Sequence, residues 1–129
     1  MSGLRKAYGG MWVVAGTLHF LVPKRYEAVM PPCVPAHREM VLVSGAAEVA
    51  GGLALLTPGL ERPARWWLIA LLAAVFPANL YMARNPDDIK GLPELPRWAL
   101  WARLPVQLVF AALVLKATEE RSAGAARAA

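Results

Sequence analysis

Five residues are of types that do chemistry and sit where such residues are costly: Glu48, His19, Asn79, Arg103 and Gln107. Each falls within a long apolar run. Glu48 lies near the middle of 41–56, a stretch apolar and long enough to cross a bilayer, with Ser44, Gly45, Gly51 and Gly52 within about one turn. A lone ionisable group at membrane depth is expensive and by default marks a buried polar contact or a functional site. Glu48 therefore has two compatible readings. It accepts hydrogen bonds from Arg103, His19 or Gln107 and locks the helices together, or it carries a proton or anchors a ligand. His19 is its natural proton partner, because imidazole titrates nearest neutrality. A histidine near a helix end also serves as a plain interfacial group. Asn79 and Gln107 both donate and accept, so they either glue helices or grip a polar head such as a quinone carbonyl. Arg103 either snorkels to the interface or pairs inward with Glu48.

Four apolar segments must position these groups: 4–22, 38–56, 64–84 and 97–117. Pro23 stops the first, and Thr57-Pro58-Gly59 stops the second. The connection 57–63 is tight, which makes segments two and three antiparallel neighbours. The connection 23–36 holds Pro23, Pro31, Pro32 and Pro35 and cannot be one helix. It predicts a short amphipathic piece over 24–29, then an extended stretch at the interface. Trp66, Trp67, Trp98 and Trp101 open segments three and four beside arginines, as an interfacial girdle does. Trp12 sits mid-segment and reads as core. Pro77 interrupts segment three, where neighbouring helices tolerate it. The fold expected is all-α, a four-transmembrane-helix antiparallel bundle over 1–118, with a flexible tail over 119–129.

Depth gives the polar groups a common side. At about 1.5 Å of rise per residue, His19, Asn79 and Arg103 lie roughly 5–8 Å in from the face carrying connections one and three, and Gln107 and Glu48 roughly 14–15 Å. The other half of the bilayer reads as almost purely apolar. Arg103 and Gln107 share one helix face, as do Tyr8, Trp12, Ala15, Gly16 and His19 on segment one. The small residues beside Glu48 allow close helix approach, or leave room for something small. A cavity opening toward one face is expected.

The totals agree. Of the 129 residues, 57% are hydrophobic and 18% charged, and the charges gather between the apolar runs instead of recurring along each helix as they would in a soluble bundle. The net charge of +5 sits at segment ends and suits anionic lipid headgroups; no basic helix face points to nucleic acid. Counting basic residues on the two sides gives near balance, so orientation is not fixed. Arg5 and Lys6 ahead of an apolar run resemble a signal peptide, but Pro23-Lys24-Arg25 follows where a small-residue cleavage site belongs, so the segment reads as retained. Cys33 is the one cysteine, which excludes an internal disulfide or dithiol chemistry. His19, His37 and Glu48 lack the spacing of a metal site, and none is expected. Phosphate-binding loops, nucleophile elbows and metalloprotease helices are missing.

As a set, certain motifs are familiar: Gly16-Thr-Leu-His-Phe20 with Pro23 and Tyr26; Met30-Pro-Pro32 with Pro35; Ser44-Gly45 with Glu48 and Gly51-Gly52; Val75-Phe-Pro-Ala-Asn79 with Met82; Arg103-Leu-Pro105 with Gln107. Together they resemble the DoxX-like family of small four-helix membrane proteins over about residues 8–115. That resemblance implies a multi-pass protein of the inner membrane, and in some relatives a link to quinone-dependent redox complexes. The chain lacks the cysteine pairs of redox-active relatives, which leaves quinone or lipid contact as the redox idea.

Three functions are expected to compete. The first is a membrane subunit or binding protein with an internal site for a small lipophilic molecule such as a quinone. In it, Glu48 and His19 handle protons while Asn79, Arg103 and Gln107 orient polar groups. Its partners would be membrane lipids, a redox complex or further copies of itself. The second is a structural or chaperone-like partner whose polar residues only hold the helices together, with the Pro-rich loop and Cys33 docking a partner. The third is a small proton-coupled transporter.

Overall fold

A computed structural model describes residues 3–28, 30, 32, 35–85 and 96–128, with side chains described as far as Thr118. It holds five helices and, among the described residues, no strand: α1 (Gly3–Leu21), α2 (Pro23–Ala28), α3 (His37–Leu56), α4 (Glu61–Arg84) and α5 (Arg97–Ala128). Three are long and apolar enough to cross a membrane: α3, α4 and α5 over Arg97–Thr118. α1 is a helix of 19 residues but is not one of those three. Arg5, Lys6, His19 and its glycines lower its hydropathy below that of the others.

The element boundaries follow from local chemistry. Pro23 ends α1 and then opens α2, where the missing N–H is harmless because first-turn donors have no intrahelical partner. Pro63 is likewise accommodated in the first turn of α4. Gly59, at φ 92°, takes the left-handed position in the turn between α3 and α4. α5 runs on to Ala128, where a flexible tail was expected after 118. Ala, Glu and Arg dominate that stretch, and all three are good helix formers.

Packing is tightest between α1 and α3. They run antiparallel, with Gly9 against Gly52 and Gly16 against Gly45. A Cβ on Gly16 would lie 2.6 Å from the Gly45 carbonyl oxygen, and one on Gly52 would lie 2.8 Å from that of Gly9. Both glycine pairs are spaced by seven residues, so two backbones meet along one seam. Gly51 faces the other way, against Trp67 and Leu68 of α4. The glycines around Glu48 thus serve close helix approach; they are not the open space. α4 and α5 also run antiparallel, joined at Leu72 with Gln107 and at Arg65 with Thr118. Tyr8, Trp12, Leu55, Leu68, Leu72 and Val114 form the buried core.

The outside is apolar. Val14, Val43, Leu53, Leu108 and Val109 are each more than half exposed, as are Trp66, Trp67 and Trp98. Faces of this kind are the surface that lipid covers, and on a soluble monomer they would form an unusually large apolar patch.

Candidate functional site

Each of the long helices contributes to one polar cluster. Gly45 lets α1 come close enough that a Cβ there would be 2.6 Å from His19 Cβ. His19 therefore stands beside Glu48, with Nδ1 3.0 Å from Oε2. The same Nδ1 lies 2.8 Å from the Ala15 carbonyl oxygen, one turn back on α1. A carbonyl only accepts, so Nδ1 carries the hydrogen and donates to Ala15. Glu48 Oε2 is then close to that N–H without completing a hydrogen bond, and it is buried. The two side chains are mostly buried, at 12% and 17% exposed.

Tyr26 of α2 stacks on the His19 ring, with centroids 3.8 Å apart and planes 19° from parallel. Burial pushes the Tyr26 phenol above its ordinary pKa, and the nearby Glu48 charge adds to the shift. α2 thereby holds one face of the imidazole through the Tyr26 ring.

Two adjoining cavities of about 260 and 280 Å³ lie against this cluster. His19, Tyr26, Glu48, Leu71, Val75 and Arg103 line both. Asn79 lines the one toward the α2 end, with Ser44. The other is bounded by Trp12 and Phe110. Met11, Met30, Met40 and Met82, which are all the described methionines, line one cavity or the other. Thioether side chains are unbranched and polarisable, so such a lining adapts to varied shapes.

Of the five residues singled out in sequence, His19, Glu48, Asn79 and Arg103 meet at these cavities. Gln107 does not line them. It is buried, donates its amide to the Leu72 carbonyl of α4, and accepts from Arg103 Nη1 at 3.4 Å. It is glue between helices and a brace for Arg103. Arg103 also lies over the Phe110 ring, 5.4 Å from its centroid. It does not pair with Glu48; among the described residues the ion-pair partner of Glu48 is His19. His37 stands at the start of α3, and the described residues contain no group of three His, Cys, Asp or Glu placed to hold a metal. Cys33 lies outside the described residues.

The opposite end of the helices is not purely apolar, as the sequence suggested. Arg5 is 1% exposed there. It donates to the carbonyls of Leu55 and Thr57 and pairs with Glu61 at 2.8 Å. One guanidinium thus satisfies the C-terminal carbonyls of α3 and ties its turn into α4. The signal was present: Arg5 continues the stripe Tyr8, Trp12, Ala15 and His19 back by three residues. Tyr26 stands among the motif residues but was not assigned to the site, because a residue on a six-residue helix carries no periodicity that would place it beside His19.

Residues 8–118 match the model of a family described as a domain of unknown function, DUF8561. The chain belongs to that family. No curated protein and no solved structure matches it.

Proposed function

We propose that this chain is a multi-pass membrane protein in which α1 joins α3, α4 and α5 as a four-transmembrane-helix antiparallel bundle, DoxX-like in kind, and that its internal cavities bind a small lipophilic ligand with a polar head, a quinone being the leading class. One observation carries the reading: a carboxylate, an imidazole and a guanidinium line the same cavities as four methionines and a set of Leu, Val and aromatic side chains. Apolar walls with a few placed polar groups are what a small-molecule site requires. Glu48 and His19 are the proton-handling pair, Arg103 and Asn79 orient the head, and Gln107 positions Arg103. An inner-membrane redox complex is the setting in which such a ligand would be used.

The test is extraction of the protein purified from its own membrane, followed by mass spectrometry. A co-purifying lipophilic molecule, displaced by added quinone, is expected. An empty extract together with no saturable quinone binding contradicts the reading.

A second reading has its own observation. His19 and Glu48 bridge the α1–α3 seam at the place where Gly16 and Gly45 close it, as a purely structural lock would. A well-folded Glu48→Gln variant that retains full biological activity would favour this structural role over ligand handling.

A further inference from the structure

Glu48 and Arg103 line the same two cavities from different helices, α3 and α5, yet they are not paired. Arg103 is held by Gln107 and by the Phe110 ring, neither of which carries a charge. Glu48 is held by His19, whose N–H is already donated to Ala15. A guanidinium offers donors only, and Glu48 in its ionised form offers acceptors only. The cavity therefore presents donors from one helix and acceptors from another, with Leu71 and Val75 as apolar wall beside both.

We propose that the head group held here is a hydroxyl on an aromatic ring, its oxygen accepting from Arg103 and its O–H donating to Glu48. This rests on the ligand-binding reading above and names the chemical class: a lipophilic phenol, which within a quinone couple is the reduced, hydroquinone member. An oxygen that only accepts, as in a quinone carbonyl or an ether, answers Arg103 and leaves the ionised Glu48 without a donor. Leaving a buried acceptor unmet weakens, without abolishing, the binding of an analogue that lacks the matching group. The ring is favoured by the aromatic surroundings, with the stacked His19 and Tyr26 on one side and Trp12 and Phe110 bounding the inner cavity. The methionines accommodate the remainder of the molecule.

The experiment titrates the full chain in detergent with nonylphenol, with its methyl ether and with a lipophilic quinone. The phenol is expected to bind at least about tenfold more tightly than the ether, the ratio that one lost hydrogen bond produces. In Glu48→Met the two should fall within about threefold of each other, because the acceptor is gone. If that variant does not fold, the comparison of phenol with ether on the unaltered protein decides alone. Saturable binding of all three probes with equal affinity overturns the hydroxyl assignment and leaves a ligand site standing. Absence of saturable binding by any of them overturns the ligand reading as well.

Discussion

His19 and Glu48 meet across the α1–α3 seam with Nδ1 3.0 Å from Oε2, although they stand 29 positions apart in the chain. The contact exists because glycine, not a larger residue, occupies position 45. Replacing Gly45 with alanine should destabilise the protein by roughly 1–3 kcal/mol, the usual cost of overpacking a closed contact. The new methyl would meet the His19 Cβ and the Gly16 carbonyl, neither of which is the far end of a flexible side chain. Thermal melting in detergent measures it, and Gly10→Ala is the control, since a Cβ there meets nothing within 4 Å. An unchanged melting temperature for Gly45→Ala would show that the seam is looser than described.

Arg5 should be the most consequential single cation for stability. Arg5→Ala removes three hydrogen bonds at the α3–α4 turn, one of them the part-buried ion pair with Glu61, and a loss of about 3–5 kcal/mol is expected. Arg5→Lys should recover only a minor part, because one ammonium lacks the planar fork that reaches carbonyls and carboxylate together. Denaturant or thermal unfolding of the two variants checks this; full rescue by lysine would contradict the triple contact.

Gln107 separates bracing from ligand contact. Gln107→Leu keeps the volume but removes the donor to Leu72 and the acceptor for Arg103, so it should cost about 1–3 kcal/mol of stability. Because Gln107 does not line the cavities, ligand affinity should change only through Arg103 and by less than about tenfold. Complete loss of binding in a folded Gln107→Leu protein would place its amide on the ligand instead.

The phenol of Tyr26 should titrate above its ordinary value of 10.0, first because it is buried and second because of the Glu48 charge. Folding thus favours the protonated phenol. That contribution is complete below the ordinary value and is lost as pH rises from there through the raised folded pKa, because the unfolded chain ionises first. Ultraviolet titration of tyrosinate, with Tyr26→Phe to assign the signal, measures the shift. Glu48→Gln should bring it part of the way back down; no change would mean that the carboxylate does not act on Tyr26.

Much of this was legible in the sequence, for identifiable reasons. Long apolar runs and Pro or Gly stops revealed α3, α4 and the core of α5, because helix length and breakers are local properties. Depth arithmetic put His19, Glu48, Asn79 and Arg103 on one side, since rise per residue is fixed in a helix. Which of two partners a side chain takes is not local. Arg103 and Glu48 were within reach by depth, but the i, i+4 neighbour Gln107 and the Phe110 face hold the guanidinium instead. The heptad spacing of Gly9 with Gly16 and of Gly45 with Gly52 was visible in the sequence, but only the meeting of two helices shows that it builds a seam. Tyr26 and the four methionines carry no periodic signal and become neighbours only on folding.

Val75 gives the most direct measurement of whether the cavities are a ligand site, because it lines both and carries no polar group. Tryptophan fluorescence of the full chain is titrated with a lipophilic quinone, comparing the unaltered protein with Val75→Phe, which fills the space. The account predicts saturable quenching in the unaltered protein and its loss by at least about tenfold in affinity in Val75→Phe, with the melting temperature retained. Equal, saturable quenching in both proteins would contradict it.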